Sequence, residues 1–335
     1  MIALRFNDLA QLLNSAVSNE NPVVESIVTD SRKAQQGALF AALPGERVDG
    51  HDFAGTAVSL GAVALLVSRR LDLPVPQLVV DDVLVALGRI AALLRSRLHP
   101  QVVGITGSNG KTTVKEMVAG ILRIKGDLLA TEGNYNNELG LPLTLFGLEQ
   151  RHRYAVLEMG ASKPGDIAYL ADIAQPDVGM VTNIGPAHLE GFGSVEGVAR
   201  TKGEMFAGLP ENGCAVMNAD EPWLTMWQEM NRAKRVITFG ASQASDVRFD
   251  DSDERPRILT AAGEIELQLA LPGRHNLYNA AAATAAAIAL GIEMELIRQG
   301  LERVEPVPGR LNVLQTSAGW TVIDDSYNAN PASLY

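Results

Sequence analysis

The run Val102-Val103-Gly104-Ile105-Thr106-Gly107-Ser108-Asn109-Gly110-Lys111-Thr112-Thr113 constrains the fold more than any other stretch of the chain. Its apolar start reads as a buried parallel strand, its glycines as a tight turn, and its end as a helix opening at Lys111. Val114, Met117, Val118, Ile121 and Leu122 share one face of that helix, and Gly126 is its expected stop. Such a strand, loop and helix start form a phosphate cradle. Backbone N–H groups converge on the anion, Lys111 adds a mobile positive charge, and the Thr112 hydroxyl is placed to hold Mg²⁺. The common phosphate-loop pattern would want glycine at position 105, where this chain has Ile105. An ordinary glycine turn, however, would not require Gly-Lys-Thr-Thr at the helix start. Gly107, Ser108, Asn109, Gly110, Lys111, Thr112 and Thr113 are therefore the expected nucleotide contacts.

Around this run, strand and helix patterns alternate from 101 to about 305, the mark of a largely parallel sheet flanked by helices. Expected strands are 102–106, 154–159, 178–184, 215–218 and 236–239. Residues 246–271 read as a small antiparallel appendage, because Ile265, Leu267 and Leu269 alternate with Glu264, Glu266 and Gln268. Helical texture returns at 276–290 and 293–304. Residues 1–82 read as a smaller α/β unit, with strands at 23–29, 39–43, 62–68 and 77–80. A helix over 83–98 belongs on either side of the first boundary. The fold class is α/β throughout, divided at 1–82, 83–308 and 309–335. Pro306-Val307-Pro308-Gly309 serves as a hinge-like linker, beyond which only the first strand of a third α/β domain is expected.

At 335 residues, with 47% hydrophobic and 20% charged, the chain can bury sizeable cores. A net charge of −11 argues against a nucleic-acid or membrane-surface binder, so an anionic ligand must be held by local groups. Cys214 is the only cysteine, which excludes an internal disulfide and points to a reducing compartment. Arg5 and Asp8 interrupt any signal-peptide pattern, and the uncharged stretch 276–292 is too short to span a bilayer. A cytoplasmic monomer without membrane insertion is expected.

Ligands of open parallel sheets collect at the carboxyl ends of strands, and several polar residues lie there. Glu158 closes a strand and is a candidate Mg²⁺ ligand. His188, after another strand, suits a metal or phosphate contact, and a structural histidine equally well. Ser31 and Arg32 in Thr29-Asp30-Ser31-Arg32 suit a phosphate or carboxylate, or a capping turn with a solvated arginine. Asn136 and Asn137 sit in a polar loop where they could hold a ligand or satisfy turn backbone. Asn276 and Asn279, one helical turn apart, suit an adenine edge, although a helix cap explains Asn276 as well. Arg310 and Asp325 would bring a cation and a carboxylate to the nucleotide from the third segment. Lys202, on a helix, carries no functional signal of its own.

Together these motifs resemble the Mur ligase family, the ATP-dependent amide-forming enzymes of peptidoglycan precursor synthesis. Gly107–Thr113 is similar to that family's own form of the phosphate loop. The resemblance implies that Glu158 and His188 are Mg²⁺ ligands, that Asn276 and Asn279 lie on the nucleotide side, and that Lys202 is a carbamate formed with CO₂ and bound to a second Mg²⁺. Lys111, His188 and Lys202 thereby become the expected catalytic set, and Ser31, Arg32, Asn136 and Asn137 the substrate contacts. Within the family, the segments 29–32, 42–51, 134–141 and 324–331 look most like members that join D-Ala-D-Ala to the terminal carboxylate of UDP-N-acetylmuramoyl-tripeptide. The implied reaction runs through an acyl phosphate and releases ADP and phosphate. The first domain would hold the UDP-sugar peptide, the second ATP, and the third would close over the site. With only the start of that third domain expected, full turnover is not anticipated from these residues alone. The competing readings are another Mur-type or folylpolyglutamate-type ligase, a phosphoryl-transfer kinase, and a non-catalytic nucleotide-binding module.

Overall fold

The computed structural model describes residues 1–45, 48–253, 255–306, 312–315, 320–324 and 326. In chain order the first elements are β1 (Leu4–Arg5), α1 (Phe6–Leu12), β2 (Val23–Val24), β3 (Ser26–Val28), β4 (Ala38–Ala41), α2 (Ala54–Ser59), β5 (Ala62–Val67), β6 (Gln77–Val79) and α3 (Val83–Leu98). Then come β7 (Gln101–Thr106), α4 (Lys111–Arg123), β8 (Leu128–Ala130), α5 (Gly140–Leu145), β9 (Tyr154–Glu158), α6 (Asp166–Ala174), β10 (Val178–Val181), α7 (Leu189–Phe192) and α8 (Val195–Ala207). The remainder comprises β11 (Cys214–Asn218), α9 (Leu224–Met230), β12 (Arg235–Gly240), β13 (Val247–Asp250), β14 (Arg257–Thr260), β15 (Gly263–Glu266), α10 (Arg274–Ala289), α11 (Met294–Glu302) and the antiparallel pair β16 (Asn312–Gln315) and β17 (Thr321–Asp324).

Two compact units result: Met1–His99 with Glu132–His152, and Pro100–Thr131 with Arg153–Tyr335. Helix α3 thus groups with the first unit, as does the segment Glu132–His152 that carries α5. In the first unit β3, β4, β5 and β6 form a parallel sheet in that order. The segment expected as one strand over 23–29 is split: β2 pairs antiparallel with β1, and β3 joins the parallel sheet.

The large sheet of the second unit has nine strands in the order β15-β14-β13-β12-β11-β10-β7-β9-β8. From β13 to β8 all neighbours are parallel. Strands buried on both faces need unbroken apolar runs, and β9, β10 and β11 are buried along their whole length. On one face Val103, Ile105 and Val156 pack with Val114, Met117, Val118 and Ile121 of α4 and with the alanines Ala280–Ala283 of α10. Gly104 faces the other way, where an added Cβ would come 3.1 Å from Met159 and 3.2 Å from Met205 of α8. The alanine-rich stretch is accordingly the buried helix expected. Among the described residues no helix is long and apolar enough to cross a membrane.

One expectation changes here. Residues 247–266 are not a separate appendage, because β13 pairs in parallel with β12 and the antiparallel β14 and β15 extend the same sheet outward. Alternation reported the half-exposed edge correctly but could not say which edge it joined.

Candidate functional site

Strand β7 is flanked by β9 on one side and β10 on the other. From β7 the chain runs out to the edge strand β8, returns to β9 beside β7, and then crosses to β10 on the other side, so the strand order reverses at β7. A crevice opens at such a reversal, outside the strands' carboxyl ends. The glycine loop lies there.

The loop conformation depends on two glycines. Gly107 has φ +149°, and an added Cβ would lie 1.9 Å from Thr182 Oγ1. Gly110 caps α4 at φ +77°, where a Cβ would lie 2.6 Å from Asn279 Oδ1. Residues just past β10 clasp this loop. Ser108 N–H donates to the Asn183 carbonyl at 2.9 Å, and Asn109 N–H to Asn183 Oδ1 at 2.9 Å. The Asn109 carbonyl accepts from the Thr182 hydroxyl at 2.6 Å and from Asn183 Nδ2 at 3.1 Å. Gly185 N–H reaches Ser108 Oγ at 2.9 Å, while Glu221 accepts from Ile184 N–H at 2.9 Å. Burial raises the Glu221 carboxyl above its ordinary range. Lys111 Nζ folds back on its own loop, donating to the Gly107 carbonyl at 2.9 Å and to that of Ser108 at 3.3 Å.

At the start of α4 the Thr112 hydroxyl donates to Glu158 Oε2 at 2.8 Å, and both residues are buried. Lys202 is buried on α8, and its amine is pushed down to about 7, first by desolvation and then by the charge of Lys111, with Glu158 opposing. Thr112, Glu158, Lys111 and Lys202 therefore belong to one electrostatic neighbourhood. His188 differs in being exposed, at the left-handed turn that opens α7, with its ring edge-on to Phe192 at 6.4 Å. Asn276 and Asn279 are buried on α10 and bonded to each other at 3.0 Å, and Asn276 Nδ2 also holds the Pro272 carbonyl at 2.7 Å. Asn276 is not the helix cap, since Gly273 precedes the first helical residue.

Among the described residues no three His, Cys, Asp or Glu side chains gather as a metal site. Mg²⁺ does not require such a cage, since it is commonly held by one or two carboxylates with phosphate oxygens and water. A buried carboxylate bonded to a hydroxyl at the mouth of a phosphate loop fits that mode.

In the first unit Ser31 is buried in a 3₁₀ turn capped by Asp30. Arg32 is 86% exposed and paired with Asp30 at 2.8 Å, which holds the Asp30 carboxyl down at about 2. Asn137 Oδ1 accepts from Gly140 N–H at 2.8 Å, starting α5, and Asn136 is half-buried beside it. Arg310 and Asp325 lie outside the described residues. Thr182, Asn183, Lys115 and Thr131 carried no assignment from sequence. The first two could have been flagged as polar residues at a strand's carboxyl end, whereas nothing in the sequence distinguishes Lys115 from a solvated helix lysine.

Comparison with known proteins gives the family of the chain. Residues 105–287 match the Mur ligase middle domain and residues 23–95 the Mur ligase family catalytic domain. The chain is 43% identical over 341 residues to the UDP-N-acetylmuramoyl-tripeptide--D-alanyl-D-alanine ligase of Escherichia coli (strain K12), covering 100% of this chain and 75% of that protein. It superposes on the crystal structure of MurF from Acinetobacter baumannii with a TM-score of 0.93 at 36% identity, covering 100% of this chain and 75% of that one. MurF from Thermotoga maritima, solved in complex with ADP, matches with a TM-score of 0.84 at 33% identity over 92% of this chain and 72% of that one. The chain belongs to the Mur ligase family.

Proposed function

We propose that this chain is an ATP-dependent ligase of peptidoglycan precursor synthesis that joins D-Ala-D-Ala to the terminal carboxylate of UDP-N-acetylmuramoyl-tripeptide. Whole-chain identity of 43% to a ligase of that name is the observation that carries the reading. ATP, as phosphoryl donor, would enter at the loop 107–113. Lys111, bonded to its own loop carbonyls, would exchange those acceptors for phosphate oxygens. The tripeptide carboxylate attacks the γ-phosphorus and ADP leaves. The dipeptide amine then attacks the acyl carbon, loses a proton, and phosphate departs.

The cradle's role is to neutralise charge that develops during phosphoryl transfer, using Lys111 and the N–H groups at the start of α4, on a loop whose Ser108 and Asn109 N–H groups are held by Asn183. Thr112 and Glu158 would hold Mg²⁺, with His188 and Lys202 as further ligands at two sites. When bound, the metal supplies charge neutralisation between the phosphates and the incoming carboxylate. The depressed Lys202 amine supports carbamate formation, because only a neutral amine adds CO₂, with loss of a proton. Asn276 and Asn279 would border the nucleotide. Ser31, Arg32, Asn136 and Asn137, all in the first unit, would serve the UDP-sugar peptide. Small-molecule substrates and a cytoplasmic monomer complete the reading. The test is phosphate release from ATP with UDP-N-acetylmuramoyl-tripeptide, with and without D-Ala-D-Ala. Dipeptide-dependent release is expected from the chain extended to the full length of that relative; release indifferent to the dipeptide would overturn the assignment.

A further inference from the structure

Lys115 is a buried charge that the reading above does not use. It lies one turn beyond Lys111 on α4, with its side chain only 4% exposed. A charge taken that far from water is costly unless its donors are satisfied. Here Nζ donates to the Thr131 carbonyl at 2.7 Å and pairs with Glu116 at 2.6 Å. Thr131 is itself buried, at the end of β8, and its hydroxyl accepts from the Glu158 backbone N–H at 3.0 Å. Glu158 in turn accepts from Thr112, three positions before Lys115 on the same helix. The contacts close a circuit: Lys115 to Thr131, Thr131 to Glu158, Glu158 to Thr112, and back along α4.

We propose that Lys115 is a positioning residue for the metal-nucleotide site, acting through Thr131 to set the depth and direction of the Glu158 carboxylate at the mouth of the phosphate loop. This role rests on the ligase reading. The geometry favours it over simple helix docking for two reasons. Apolar packing already anchors α4 on the sheet through Val114, Met117, Val118 and Ile121, so a buried ammonium is not needed to hold the helix down. Its bond also goes to the one residue whose hydroxyl fixes the Glu158 main chain. Groups that orient a metal ligand from behind alter metal affinity by about 10- to 100-fold when removed.

The experiment is calorimetric titration of the full chain with ADP, with and without Mg²⁺, on the wild type, Lys115→Met and Thr131→Val, with a thermal melt of each. Thr131→Val is nearly isosteric, keeps the carbonyl that Lys115 holds, and removes only the hydroxyl. Mg²⁺ is expected to tighten ADP binding by the wild type. In both variants that gain should shrink about tenfold, while Mg²⁺-free ADP affinity stays within about twofold. A full wild-type gain in either folded variant would overturn the proposal, as would an equal loss with and without Mg²⁺ accompanied by a lowered melting temperature. If the wild-type chain bound no ADP under either condition, the ligase reading would fail, and this role with it. Binding by the wild type with an unchanged gain in the variants sinks the role of Lys115 alone.

Discussion

The loop 107–112 after β7 and the turn 30–33 after β3 are both polar turns that follow parallel strands, and they are built on opposite principles. The first is locked by a neighbouring strand's tip, through Thr182, Asn183 and Gly185, and its lysine reaches back to main-chain carbonyls of its own loop. The second is self-contained: Asp30 caps its own turn and neutralises its own arginine, which remains 86% exposed. Rigidity in the first case comes from tertiary contacts that a ligand finds ready-made. In the second the ligand would have to compete with a local ion pair screened by water. A preorganised cradle suits the step in which charge develops, and a loose one suits recognition.

Removing the charge from the rigid turn should have the largest effect. Lys111→Ala is expected to lower the rate of ATP-dependent ligation by about 10³-fold with little change in melting temperature; near-normal turnover would mean the loop is not the phosphate site. Disturbing its shape comes next. Gly107→Ala forces a Cβ into the Thr182 hydroxyl at a backbone conformation unfavourable to other residues. We expect about 2–4 kcal/mol of lost stability by urea unfolding, and a loss below about 0.5 kcal/mol would show that the clasp is soft.

The exposed turn should behave differently. Arg32→Ala is expected to leave the melting temperature unchanged while raising KM for the UDP-sugar peptide about tenfold without affecting KM for ATP. A parallel rise for ATP would erase the distinction between the turns. The smallest effect is on Asp30 itself. Its pKa of about 2 lies below the ordinary 3.8, so the pair is fully formed above 3.8 and lost as pH falls through about 2. Carboxyl NMR should show that titration in the wild type and a return toward 3.8 in Arg32→Ala. An unshifted Asp30 in the wild type would mean that the pair does not persist in solution.

Much of the scaffold could be read without coordinates, because each signal was local. The apolar run into Gly107, the period of Val114, Met117, Val118 and Ile121, and the uncharged alanines of α10 each satisfy their own burial pattern within one element. Helix α3 likewise occupies 83–98 as its leucine spacing dictates. The strand at 23–29 was misjudged because residues on either side of Glu25 pair with different partners, and pairing is not a property of the strand alone. The same holds for β13–β15, whose alternation shows one exposed face but not the sheet they extend.

The sequence by itself determined that a glycine-rich loop would stand between a buried strand and an amphipathic helix, since glycine, lysine and hydroxyl at that spacing act through their immediate backbone. Only the tertiary structure decided what surrounds it. The crossing from β9 to β10 brought Thr182 and Asn183 onto the loop, burial depressed the Lys202 amine, and the β8–β9 pairing set Thr131 between Lys115 and Glu158. A lysine's chemistry depends on how much water and which charges surround it. Those are set by residues distant in the chain, which is why Lys115 and Lys202 looked like ordinary helix lysines until the sheet was assembled.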